Sequence, residues 1–178
     1  MSRINFFEDS NKQITNKKEF GLRDDRINQP AYIDDILSNK IDKWFGTVKN
    51  SNELTVAFFP VDHCVTLKRT DGSDASRCEG ILRYDGNKLI FTELKDQDVI
   101  SDWRKEAEDQ TKETLSFFFD NYDKNAFQIN AWICNQRQLT LPNFHQQIKA
   151  FKEETKASFK LKHGIVLKIQ REIDLEKI

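Results

Sequence analysis

Two charged residues stand at the end of an otherwise apolar stretch of β-forming residues. Glu93 and Lys95 are two residues apart, so both side chains leave the same face of a predicted strand. Leu89 and Phe91 share that face, so the pair follows apolar side chains. Burying such charges is costly unless they are paired or bound to a ligand. The spacing therefore favours a site over a solvated ion pair.

A second carboxylate is predicted beside the first. Asp85-Gly86-Asn87 is a strong turn signal, because Gly and Asn tolerate positive φ. A hairpin closed at this turn places Glu79 opposite Glu93, and directly opposite residues point to the same face of a sheet. Asp85 competes with Glu79 as the second acid, but its position is typical of a turn residue.

Two carboxylates and a lysine in one small volume suit a magnesium site. Like charges at close range repel, and one carboxylate is neutralised unless a cation is present. Mg²⁺ (or Mn²⁺) is the expected cation, since Mg²⁺ prefers one or two carboxylates, several waters and a substrate phosphate. Glu79 and Glu93 are the predicted metal ligands. Lys95 would orient or deprotonate the attacking water, or stabilise charge developing on the phosphate.

The elements that must position these residues alternate between strands and helices. Apolar spacing predicts a helix over 31–44, and β-formers divided by Pro60 predict two strands or one bent strand over 53–67. The chain then predicts strands over 79–84 and 88–95, a helix over 101–122, a strand over 126–134, a helix from Pro142-Asn143 to Phe159, and a strand over 164–173. Residues 1–30 are polar and charged, and irregular structure is expected there.

Two short motifs flank the predicted hairpin. Arg77-Cys78-Glu79-Gly80 opens its first strand, and Thr92-Glu93-Leu94-Lys95 closes its second strand. This arrangement resembles the PD-(D/E)XK, or restriction-endonuclease-like, nuclease superfamily, in which an acidic residue opens one strand and Glu-x-Lys closes the next. Glu79 departs from the Asp usual in the family, and its longer side chain would shift the metal. The superfamily often places a Gln on the following helix, and Gln110 matches that position.

The resemblance, which covers roughly residues 31–134, implies a fold and an activity. The implied fold is α/β (α+β): a restriction-endonuclease-like core with a mixed central sheet flanked by helices, in one domain over 31–178. The implied activity is Mg²⁺-dependent hydrolysis of DNA phosphodiester bonds, with RNA left open. The implied catalytic residues are Glu79, Glu93, Lys95 and Gln110. The alternative is an inactive nuclease-fold protein that acts as a binding or regulatory partner in a bacterial defence or mobile-element system.

Composition limits the other classes of function. The 178 residues suit one domain, and a net charge of -1 argues against a globally basic nucleic-acid binder, although it allows a local basic patch. We expect no membrane span, no signal peptide and a cytoplasmic protein with reduced thiols, since the three cysteines form no CxxC pair. A homodimer or a protein partner is left open. Four lysines on the predicted helix over 143–159 and beyond it favour a solvated face over a phosphate track: Lys149, Lys152, Lys156 and Lys160.

Overall fold

The computed structural model describes residues 3–40, 42–97, 102–139, 153, 157, 160 and 164–178. Its strands are β1 Gln13–Thr15, β2 Glu19–Arg23, β3 Tyr32–Asp34, β4 Gly46–Lys49, β5 Val56–Pro60, β6 Gly80–Tyr84, β7 Lys88–Lys95, β8 Gln128–Asn135, β9 Val166–Ile169 and β10 Glu172–Asp174. The long helix α1 spans Asp102–Asn121, and short 3-10 turns cover Leu37–Asn39, Lys124–Ala126, Gln136–Leu139 and Leu175–Lys177.

The larger sheet is mixed, as the resemblance implies. Its strand order is β1-β5-β6-β7-β8-β9, with antiparallel pairs from β1 to β7 and parallel pairs from β7 to β9. A parallel pair needs a crossover connection, and α1 lies in the connection between β7 and β8. Since β7 is paired on both sides, every residue of this strand after Lys88 is buried.

A second sheet, of order β10-β4-β2-β3, packs against the larger one. The two sheets approach closely at Gly46 of β4. A Cβ atom at this position would lie 2.5 Å from the Trp132 ring and 2.7 Å from the Cys134 sulfur of β8. Only a glycine therefore lets β4 approach β8 at this distance.

The faces of β7 belong to two separate cores. Leu89 and Phe91 face α1, in a core that contains Trp103, Ala107 and Phe118 of that helix. Residues of the other face pack against the second sheet: Ile90, Leu94, Phe20, Leu22, Val48 and Ile173. The alternation predicted for the strand is confirmed, and it places Glu93 and Lys95 on the α1 side.

The hairpin is the best predicted part of the fold. Gly80 pairs with Thr92, which is the register that puts residue 79 opposite residue 93. The turn contains Asp85 at φ 46° and Gly86 at φ 75°, so Asp85 is a turn residue, and it pairs with Lys88 at 2.8 Å. Helix α1 and strand β8 also lie where they were predicted, and each of their ends falls within two residues of the predicted end.

The predicted helix over 31–44 is wrong. Tyr32–Asp34 instead forms the edge strand β3, which pairs with β2. The strand ends where the Asp34 carboxylate accepts a hydrogen bond from the Ile36 backbone N–H. Ile36 and Leu37 are 58% and 61% exposed, so the helical spacing of apolar residues did not mark a buried face.

Two other predictions are corrected by strand pairing. Residues 1–30, expected to be irregular, contain β1 and β2. The stretch over 53–67, predicted as two strands or one bent strand, holds the single strand β5, which ends at Pro60. The predicted strand over 164–173 is divided between β9 and β10 in different sheets. Among the described residues, the larger sheet carries α1 on one face and the second sheet on the other. The predicted helix over 143–159 lies outside the described residues, except for positions 153 and 157, and both of these are helical.

Substituting Gly46→Ala tests the contact between the sheets. We expect the free energy of unfolding to fall by about 3 kcal/mol, because Trp132 and Cys134 must move to admit a methyl group. Gly72→Ala is the control, since a Cβ atom there meets nothing within 4 Å. Its cost is the strain of an alanine at a positive φ of 84°, which is about 1 kcal/mol. If urea unfolding gave the same loss of free energy for Gly46→Ala and Gly72→Ala, the sheets would not be packed this closely at Gly46.

Candidate metal and active site

Glu93 and Lys95 lie at the carboxyl end of β7, between the sheet and α1. Glu93 is fully buried and Lys95 is 8% exposed. Lys95 Nζ lies 2.9 Å from Glu93 Oε1. The Lys95 ammonium and the Glu79 backbone N–H both stabilise the Glu93 carboxylate and oppose the effect of its burial. The predicted pair is thus buried and in contact.

Glu79 precedes β6 and continues its pairing. Its backbone carbonyl accepts a hydrogen bond from the Val61 N–H at 2.9 Å, which extends the β5–β6 ladder by one step. Glu79 is 7% exposed, and within the residues that the structure describes its carboxyl group forms no hydrogen bond or ion pair. The structure therefore brings Glu79 to the position beside Glu93 that the hairpin register predicted.

The two carboxyl groups are strongly perturbed. Burial raises the pKa of Glu79, and the nearby charges of Glu93, Asp24 and Asp62 raise it further against the opposing effect of Lys95. Burial also raises the pKa of Glu93, and the Lys95 ammonium offsets part of that rise. One ammonium is thus shared by two buried acids, which disfavours the doubly ionised pair.

Helix α1 fixes the lysine from the other side. Lys95 Nζ donates to Gln110 Oε1 at 2.7 Å and to Glu106 Oε1 at 3.1 Å, and these residues are about one helical turn apart. Burial lowers the pKa of Lys95, but Glu93 and Glu106 outweigh it, so the pKa lies above its ordinary value. Lys95 is therefore held as an ammonium, and Gln110 lies beside it, as the resemblance implied.

Sequence reasoning missed three acidic residues near the site. Glu106 was missed although it lies on the predicted helix, one turn from Gln110. Asp62 lies just beyond β5 and is bound by Arg77 Nε at 3.0 Å and by His63 Nε2 at 3.2 Å. The β5–β6 pairing could have signalled Asp62, but Asp24 comes from the second sheet and carries no local signal.

The residues present fit a hard divalent cation. Glu79 offers carboxylate oxygens with no hydrogen bond or ion pair among the described residues, and a cation between Glu79 and Glu93 would relieve the repulsion between the two acids. Two carboxylates, completed by waters and a substrate phosphate, fall within the range that Mg²⁺ uses. Within the described ranges, no group of three or more His, Cys, Asp and Glu side chains is arranged to hold a metal ion.

The other predicted features contribute little to the site. Cys64, Cys78 and Cys134 are free, with Cys64 half-buried and the other two buried. The predicted lysine stripe lies outside the described residues, apart from Lys160, which is exposed. In the part of the chain that the structure describes, no helix is long and apolar enough to cross a membrane.

Comparison of the chain with family models, with curated proteins and with solved structures found no match.

Replacing Glu79 with Gln tests whether the ionised Glu79 carboxylate destabilises the metal-free fold. Because the folded-state pKa of Glu79 is raised, ionisation opposes folding above the unfolded-state pKa and is without effect below it. We therefore expect Glu79→Gln to leave stability unchanged near pH 4 and to raise it progressively towards pH 8, by on the order of 2 kcal/mol.

Urea unfolding between these two pH values, with a chelator present, measures the effect. Glu53→Gln is the matched control, since Glu53 is exposed and its ion pair to Lys18 is long, at 3.9 Å. A gain that does not depend on pH, or a loss of stability, would contradict the pKa assignment.

Proposed function

We propose that this chain is a Mg²⁺-dependent nuclease that hydrolyses phosphodiester bonds of DNA. The observation that carries the proposal is the carboxyl group of Glu79, which is 7% exposed, lies beside buried Glu93 and has no bonded partner among the described residues. A buried acid without a partner is costly. Such a cost is typical of a functional site, where a ligand supplies the missing partner.

The order of the elements supports a restriction-endonuclease-like core. Strands β5, β6 and β7 are followed by α1 and β8, which is the order of three strands, helix and strand in the superfamily that the motifs resemble. Glu79 and the Glu93–Lys95 motif lie at the ends of β6 and β7, as that resemblance implies. The helix that opens the core in the superfamily is not found over 31–44, where β3 lies instead.

The side chains divide the chemistry between them. Glu79 and Glu93 would hold the cation, which when bound neutralises charge on the phosphate and activates the attacking water. The protonated Lys95 is suited to orient that water or to stabilise negative charge developing on the phosphate, and less suited to act as a base. Gln110 and Glu106 hold the ammonium in place and limit its rotation.

A second candidate is an inactive protein of the same fold that binds a partner. It is favoured by the closed environment of Lys95, because an ammonium has three donors and Lys95 has three contacts, with Glu93, Glu106 and Gln110. The Glu at position 79, where the superfamily usually has Asp, points the same way. The nuclease is preferred because this alternative provides no partner for the buried carboxyl group of Glu79.

A plasmid-nicking assay with Mg²⁺ or Mn²⁺ separates the two candidates. We expect the wild type to nick DNA and Glu93→Gln to lose at least about a hundredfold in rate, because the buried ligand is lost. Glu53→Gln, which changes an exposed carboxylate in the same way, is expected to keep full activity. A wild type that cleaves neither DNA nor RNA, and binds no Mn²⁺ in calorimetry, would leave the inactive protein as the answer.

Lys95→Gln separates catalysis from metal binding. Removing the ammonium leaves Glu79 and Glu93 without their counter-charge, so we expect Mn²⁺ to bind at least as tightly as to the wild type. The nicking rate should nevertheless fall at least about a hundredfold, as the charge that faces the phosphate is lost. A parallel loss of Mn²⁺ affinity in calorimetry would show that Lys95 instead maintains the geometry of the carboxylates.

A further inference from the structure

Glu79 lies just beyond the ladder that joins its strand to β7. Gly80 pairs with Thr92, and this is the last pair of the β6–β7 register at the site. On the other side of the strand, the Val61 N–H still binds the Glu79 carbonyl at 2.9 Å. The position of the Glu79 carboxyl group relative to Glu93 therefore depends on what holds the chain immediately before residue 79.

Helix α1 holds that segment at Cys78. The Cys78 backbone N–H donates a hydrogen bond to Thr114 Oγ1 at 2.8 Å, and both residues are fully buried. The Thr114 hydroxyl in turn donates to the Gln110 backbone carbonyl at 2.9 Å. A buried N–H without an acceptor is costly, so the hydroxyl fixes the backbone next to Glu79 against the helix.

The same turn of α1 holds the lysine of the site. The Gln110 side chain accepts a hydrogen bond from Lys95 Nζ at 2.7 Å, and its carbonyl accepts the one from Thr114. Residues 110 and 114 are about one helical turn apart, on the same face of α1. One turn of the helix thus fixes the ammonium and the strand that carries Glu79 relative to each other.

Thr111 shows that a buried threonine on α1 need not do this. It is fully buried, and its hydroxyl donates to the Ala107 carbonyl at 2.8 Å, which is the same bond to the preceding turn that Thr114 makes. Among the described residues, the Thr111 hydroxyl forms no bond outside its own helix. The bond to Cys78 is therefore what distinguishes Thr114.

We propose that Thr114 is a positioning residue of the cation site, which holds Glu79 where it can share a divalent cation with Glu93. The proposal rests on the proposed function, since it needs that cation. Thr114 contacts neither carboxyl group and acts through the Cys78 backbone. Its hydroxyl oxygen is what matters, because a side chain of the same shape without oxygen cannot accept the N–H.

Thr114→Val keeps the shape of the side chain and removes the acceptor. With Mn²⁺ alone as the probe, we expect the dissociation constant from calorimetry to increase at least about tenfold. Thr114→Ser restores the hydroxyl and should restore the wild-type dissociation constant. Thr111→Val is the matched control, because it loses the same bond within the helix, and it should bind Mn²⁺ like the wild type.

Thermal unfolding of each variant accompanies the calorimetry, since both valine variants lose a buried hydroxyl. If Thr114→Val does not unfold cooperatively, Thr114→Ala takes its place, because alanine also lacks the hydroxyl and has a higher helix propensity. Wild-type affinity in the variant without the hydroxyl, an equal loss in Thr111→Val, or a loss that Thr114→Ser does not recover would overturn the role of Thr114 and leave the nuclease intact. A wild type that binds no Mn²⁺ would overturn both.

Discussion

Two buried carboxyl groups share a single ammonium at the end of β7, and the surrounding structure depends on that imbalance. Glu93 is fully buried and Glu79 nearly so, while Lys95 can neutralise one of them. Burial in a low-dielectric interior makes each unpaired charge expensive. The metal-free fold is therefore expected to keep a proton between the two acids, and a cation would release it. Protonation, metal binding and stability are thus linked at one place.

The elements around this pair each fix one of its members. The hairpin sets the register that brings residue 79 to residue 93, and the parallel pairing with β8 buries the strand that carries Glu93 and Lys95. Helix α1 closes the site by binding the ammonium through Gln110 and Glu106. Because α1 and β8 pack on the same strand, the lysine and its glutamate are held on a rigid frame. That rigidity is what a site needs in order to position a phosphate accurately.

The sequence predicted the local part of this arrangement and missed the long-range part. Glu79, Glu93 and Lys95 could be placed because a two-residue period and one tight turn determine their faces. Gln110 could be placed by the resemblance. The strand β3 was mistaken for part of a helix because the apolar residues of 31–44 have roughly helical spacing. Two of them, Ile36 and Leu37, are in fact exposed. An edge strand is decided by its partner, which here is β2, and no local pattern reports that pairing.

The second sheet shows why the remaining acids could not be foreseen. Asp24 is separated from Glu79 by more than fifty residues, and the two belong to different sheets, which are joined by the core that contains Trp132 and by the close contact at Gly46. A chain that used this fold only as a binding surface would be more stable with an apolar side chain in place of Glu79, since nothing among the described residues bonds that carboxyl group. A convergence of buried acids of this kind is what a cation shared by Glu79 and Glu93 would explain, as we propose.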